Sequence, residues 1–136
     1  LRSFTVNIEV MALCDAATES QGKLNILGTF DTIFAQKLPA VSSQCAVALR
    51  VRFNQIEKGE HKIKLNLVNE DGKLIIPSLE TGTKVNFPPH LDSGVMNMVL
   101  HIQGLKLEKF GKYSFDLAID GRQEASLPLY LRQSQM

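Results

Sequence analysis

Tryptophan is absent and cysteine occurs only twice, at Cys14 and Cys45. The three histidines, His61, His90 and His101, stand far apart, and neither Cys-x-x-Cys nor His-x-x-x-His spacing occurs. Zinc sites draw their ligands from such short spacings, so no metal site is read. No glycine-rich run of the kind that cradles phosphates is present, and no cofactor is implied. No apolar run reaches the roughly 18 to 20 residues of a membrane-spanning helix. The first residues lack the charged segment, apolar stretch and cleavage site of a signal peptide, although the chain opens on Leu1 rather than Met. Fifteen basic side chains offset fourteen acidic ones, a net charge of +1. That balance gives no global attraction to nucleic acid or to an anionic membrane. Helical periodicity is sustained nowhere. Two cysteines fit free, buried thiols in a cytoplasmic protein, with a disulfide between them as the lesser alternative.

Strand periodicity is what the chain does carry. Its clearest stretch is Lys112 to Leu131. Tyr113, Phe115, Leu117 and Ile119 alternate with polar or small residues, then Asp120-Gly121 intervenes, then Ala125, Leu127, Leu129 and Leu131 alternate again. Asp-Gly between two such runs marks a hairpin. Residues opposite each other in an antiparallel pair share a face. A three-residue loop, Asp120-Gly121-Arg122, sets Leu117 against Ala125, Phe115 against Leu127 and Tyr113 against Leu129, so that every buried position meets a buried one. Pro128 implies an edge strand or a bulge there.

The remaining chain reads the same way. Phe4, Val6, Ile8 and Val10 begin a long first strand that turns fully apolar through Met11 to Cys14. Asp15 to Gly22 reads as a polar turn with a helical turn at Ala16 to Glu19. Lys23 to Phe34 is a second strand with Gly28 at a bulge or a close approach. Cys45, Val47, Leu49, Val51 and Phe53 alternate strictly. Glu57-Lys58-Gly59 is read as the loop of a hairpin that pairs Phe53 with Ile63 and Val51 with Leu65. Gly82 to Phe87 is a short strand, and Val95 to Gln103 carries Met96, Met98, Leu100 and Ile102 on one face. Eight or nine strands at about ten-residue spacing predict an antiparallel β-sandwich over residues 1–136, a single domain. An immunoglobulin-like arrangement is the first expectation; a jelly roll or C2-like sandwich is the alternative.

Three blocks carry a resemblance. They are Leu13-Cys14-Asp15, the run GKLNILGTFDTI from Gly22 to Ile33, and GKYSFDLAIDG from Gly111 to Gly121 with the following LPLYL. Together they resemble a family of uncharacterised bacterial proteins catalogued as a domain of unknown function. The resemblance spans nearly the whole chain. It implies a single-domain, cytoplasmic, all-β protein and brings no activity, substrate or cofactor with it.

No catalytic set emerges. Cys14 stands beside Asp15, and nothing electropositive flanks it to lower its pKa, so it reads as a buried structural thiol. The loop acids Asp15, Glu19, Asp71, Asp92 and Asp120 each stand nearly alone, whereas calcium wants about six to eight oxygens. The hairpin read at Phe53 and Ile63 would place Arg52 opposite Lys64, with Arg50 and Lys62 diagonal to them. Like charges directly opposite destabilise a sheet. Either an anion occupies this basic face, or the acids of the closing hairpin, Asp116, Asp120 and Glu124, neutralise it. Two functions follow. The first is a non-enzymatic interaction or scaffold module that takes a second copy or a protein partner on an edge strand. The alternative is a module for an anionic small molecule or lipid head group, held by Arg50, Arg52, Lys62 and Lys64.

Overall fold

A strand with one apolar residue in two can bury only one face, so sheets built from such strands close on each other in pairs. The structure, a computed structural model, describes residues 6–135. Among them are nine strands: β1 (Asn7–Ser20), β2 (Lys23–Thr29), β3 (Thr32–Ala35), β4 (Ala40–Asn54), β5 (Gly59–Val68), β6 (Leu79–Val85), β7 (Ser93–Leu107), β8 (Gly111–Ile119) and β9 (Arg122–Gln133). One sheet has the order β2-β1-β4-β7 and the other the order β3-β9-β8-β5-β6. They are called here the β4 sheet and the β8 sheet. All pairings are antiparallel except that of β3 with β9, which is parallel. Phe4, read as part of the first strand, lies outside the described residues.

The expected alternation builds the core. Val47, Leu49, Val51 and Phe53 of β4 face Ile63, Leu65 and Leu67 of β5 and Phe115 and Leu117 of β8, all buried. The topology is immunoglobulin-like: a central β4 between β1 and β7 opposes a β3-β9-β8-β5-β6 sheet, with the β2–β3, β3–β4, β4–β5, β6–β7 and β7–β8 connections crossing between layers. A tyrosine corner accompanies it. Tyr113, at the start of β8, donates its hydroxyl to the carbonyl of Lys109 at 2.6 Å. Two residues further on, where antibody domains place a disulfide cysteine, Phe115 fills the core instead.

Four expectations need correction. The closing turn has two residues, not three, because Ile119 pairs with Arg122. Asp120 and Gly121 both take positive φ, 53° and 82°, as a type I′ turn requires. The missing residue reappears as a bulge at Glu124, and beyond it the pairs Leu117–Ala125, Phe115–Leu127 and Tyr113–Leu129 stand as expected. Pro128 lies on β9 below the stretch that β3 pairs, Tyr130 to Gln133, so no hydrogen-bond partner is lost there.

The second correction concerns β4 and β5, which do not form a hairpin. The 3-10 turn Gln55–Glu57 carries the chain from one sheet to the other. Asn54 caps it: its side chain accepts from Ile56 N at 3.1 Å, and Glu57 reaches back to Asn54 N at 2.9 Å. Phe53 and Ile63 therefore meet across the core, not side by side. Third, the segment from Ala16 to Glu19 is strand rather than a helical turn, because β1 continues to Ser20 and pairs with β2 down to the Gln21-Gly22 turn. Fourth, Lys23 to Phe34 is two strands in different sheets. Gly28 marks a close approach: the Asp15 carboxyl oxygen lies 2.6 Å from where a Cβ would be.

The β1–β2 hairpin folds over the outer face of its own sheet. Leu24 and Ile26 of β2 pack with Cys14, Ala17, Ala46, Ala48 and Val99, forming a second, smaller apolar cluster. At the tip, Asn97 Nδ2 donates to the Gly22 carbonyl at 3.0 Å. The outward Ala46 and Ala48 of β4 are small, which lets this extra layer come close.

Tyr113 offers the direct test of the corner. Phenylalanine keeps the ring in the core and removes one hydrogen bond from a buried site. Tyr113→Phe is expected to lower the unfolding free energy in urea by about 1–2 kcal/mol, with an unchanged m-value. An unaltered midpoint would show that the corner contributes nothing.

Candidate functional site

The four basic residues do not assemble. Arg50 and Arg52 point outward from the β4 sheet, whereas Lys62 and Lys64 lie on β5 in the other layer. Arg52 has Asn7 and Val95 as cross-strand neighbours, and Lys64 has Ala118 and Glu80. The Arg52–Lys64 clash, and with it the basic face formed by all four, came from the assumed hairpin and is absent from the fold.

The arginines are met by an acid on a third strand. Glu9 of β1 spans them: Arg50 Nε donates to one carboxyl oxygen at 2.9 Å and Arg52 Nε to the other at 2.5 Å. Asn97 Oδ1 accepts from Arg50 at 3.2 Å, and Ser93 Oγ accepts from Arg52 at 2.8 Å. The clasp therefore ties β1, β4 and β7 across the outer face. The Arg52 and Arg50 hydrogen bonds hold the Glu9 carboxyl below its usual range. Nothing in the sequence joined residue 9 to residues 50 and 52; only the β1–β4 register does.

The closing hairpin sits beside β5, and its acid acts on a histidine. Asp120 Oδ1 accepts from Lys62 N at 2.8 Å, and Asp120 Oδ2 lies 2.6 Å from His61 Nδ1. His61 Nε2 lies 2.5 Å from the carbonyl oxygen of Glu57. Both ring nitrogens thus face acceptors, an arrangement only the doubly protonated imidazolium satisfies. Burial pushes the His61 pKa down. The Glu57 carbonyl and the Asp120 carboxylate outweigh burial, and the net displacement is upward. Burial likewise raises Asp120, and the Lys62 N–H and His61 bring it below its usual value. With both nitrogens engaged, this His–Asp pair has no free lone pair to act as a general base. It fastens the 3-10 turn to the β8–β9 turn.

The other chemically capable groups include two thiols on neighbouring strands. Cys14 and Cys45 are buried and free. Burial raises both thiols, helped at Cys14 by the Asp15 charge, which is the reverse of nucleophile activation. Among the described residues no three His, Cys, Asp or Glu side chains converge. A cleft of about 300 Å³ opens between Asn69–Leu74 and Lys106–Gly111. The Tyr113 hydroxyl at its wall is already committed to the corner.

What the fold leaves open is an edge. Among the described residues β7 pairs with β4 alone, and no charged side chain interrupts it between Asp92 and Lys106. Met96, Met98 and Leu100 face inward but are only half-buried, since no strand lies beyond them. Gly104, with φ of 63°, shifts the phase by one residue so that Leu105 and Leu107 return to the core.

The family described as "Family of unknown function (DUF6941)" matches residues 9–132. No curated protein matches the chain. Among solved structures, a crystal structure of an immunoglobulin-like protein from Pseudomonas aeruginosa is similar, at 15% identity and a TM-score of 0.43. The alignment covers 94% of this chain and 97% of that one.

Two outcomes are expected at these groups. Glu9→Gln should leave two arginines on one face without their acid and lower the melting temperature, and the loss should shrink in high salt. An equal loss at all ionic strengths would contradict a charge effect. Because the folded pKa of Glu9 is depressed, its stabilisation is present at neutral pH. It fades as the pH falls through the ordinary carboxylate value of about 4 toward the folded one.

His61 works in the opposite direction. Its folded pKa is raised, so its contribution is complete below the unfolded value of about 6.5 and fades as the pH rises through the folded one. NMR titration of His61 should give a midpoint above that of an unfolded control, and Asp120→Asn should move it down. A His61 midpoint that Asp120→Asn leaves in place would rule the pairing out.

Proposed function

Since the chain belongs to that family of unknown function, we propose, from its structure, that it is a non-enzymatic interaction module that takes up an extended polypeptide segment along the free edge of β7. The carrying observation is the edge itself: fifteen residues long, unpaired on one side among the described residues, and uncharged from Ser93 to Leu105. Sheet edges normally carry protection such as charges, short length or bulges, because a row of unsatisfied N–H and C=O groups templates another strand. The other edges have such protection. β3 is four residues long, β6 carries Glu80 and Lys84, and β2 is bent at Gly28 and folded over its sheet. Strand addition supplies main-chain hydrogen bonds, and the half-buried Met96, Met98 and Leu100 supply apolar contact.

The reading without catalysis is supported by the raised thiols and by the saturated His61. A reducing, cytoplasmic setting belongs to the same proposal, and the free, buried Cys14 and Cys45 support it.

A labelled synthetic peptide copying Ser93–Leu105 tests the edge directly. It is expected to bind and to slow amide hydrogen exchange in β7 more than in β6. Met98→Lys, an inward charge at the edge, should weaken binding by about tenfold or more, with the circular dichroism spectrum preserved. No binding, with β7 exchange unchanged at saturating peptide, would sink the proposal.

A further inference from the structure

We propose that the strand received at this edge is β7 of a second copy, in an antiparallel pairing about a two-fold axis through Val99. The inference rests on the strand-addition reading above and names its partner. In a two-fold, antiparallel contact a strand meets itself reversed, so each residue faces another from the same short segment. A strand with like charges in that segment would confront its own charges. The stretch Val95–Gln103, VMNMVLHIQ, contains no Asp, Glu, Lys or Arg.

Face matching fixes the register further. Even-numbered residues from Met96 to Ile102 point inward, opposite Val51, Leu49, Val47 and Cys45 of β4, and odd-numbered ones point outward. Opposite residues in an antiparallel pair share a face. The axis must then pass through a residue, not between two. The regular stretch has natural ends. At one end the Phe87 ring packs so closely on Gly94 that a Cβ there would lie 2.4 Å from it. At the other, Gly104 takes a left-handed conformation with φ of 63°. Its midpoint is Val99.

In that register Met96 faces Ile102 of the second copy and Met98 faces Leu100. On the outer side Asn97 faces His101 and Val95 faces Gln103. The half-buried apolar side chains at the edge of each core become interior to a joined one. The two β4 sheets continue into one sheet of eight strands, twice the four of each copy. A heterologous partner would need only an apolar strand of its own. Self-pairing explains in addition why β7 carries no charge of either sign from Ser93 to Leu105, since an acidic or basic partner would favour the complementary charge here.

Two measurements on the full chain decide it. Light scattering across a concentration series should approach twice 15.1 kDa. The double variant V95C/Q103C should form a disulfide-linked pair under mild oxidation, while V95C and Q103C alone remain single chains on a non-reducing gel. Within one chain these positions are eight residues apart, about 27 Å along a strand, so they cannot bridge internally, whereas opposite positions in a pair lie within disulfide reach. Cys14 and Cys45 are buried and do not compete. A mass of one chain at all concentrations would overturn the inference; if the Ser93–Leu105 peptide still binds, strand addition survives with a different partner, and if it does not, both fall. A dimer in which V95C/Q103C fails to cross-link would overturn the Val99 axis. Should that variant fold poorly, concentration-dependent protection of β7 amides in the unmodified chain replaces it: protection supports the pairing, and its absence refutes it.

Discussion

Strand β4 is hydrogen-bonded on both sides and packed from beneath, and the other elements take their positions from it. Its inward residues Val47, Leu49, Val51 and Phe53 have no solvent exposure at all. Burying each such side chain is worth roughly 1.5–3 kcal/mol, more than a single hydrogen bond such as the tyrosine corner at about 1. Its outward residues divide the other face in two. Ala46 and Ala48 are small enough for the β1–β2 hairpin to lie on them, and Arg50 and Arg52, further along the strand, are clasped by Glu9. One strand thus fixes the core on one side and both the draped hairpin and the charged clasp on the other.

The alternation in the sequence was a faithful guide to which face each residue shows and a poor guide to which strand lies beside it. Phe53 and Ile63 both point into the core, and alternation was satisfied equally by neighbours in one sheet and by partners in facing sheets. The structure puts them in facing sheets. A local signal was present: Asn54 followed three residues later by Glu57 is a capping-box spacing, and a capped turn is a poor two-strand loop. At the closing hairpin the deep pairs could be read because long apolar side chains set them. The turn could not, because a two-residue turn plus a bulge gives the same deep register as a three-residue loop.

The candidate site was legible only in its parts. Val95 to Gln103 could be recognised as a strand with its methionines on one face, but whether it was an edge depends on sheet order, which is a property of the whole chain. The Glu9 clasp and the His61–Asp120 pair join residues 41 to 59 positions apart. No spacing rule reaches that far. The fold, for its part, hosts many unrelated functions, and here it does without the tryptophan and inter-sheet disulfide of antibody domains. Phe53 and Phe115 fill the interior, and Cys14 and Cys45 stay free within it.

The hairpin draped over Ala46 and Ala48 has a consequence for growth. A flat sheet with two open edges and a bare face can add copies without end, which is how filaments begin. Here the far side of the β4 sheet curls back on itself and roofs part of its outer face. A copy joining along β7, as proposed, would use up the long straight border of this sheet, and among the described residues the curled side offers no equivalent to the next copy. Under the proposed pairing, the curled side would act as a terminator that favours a closed pair over a fibre.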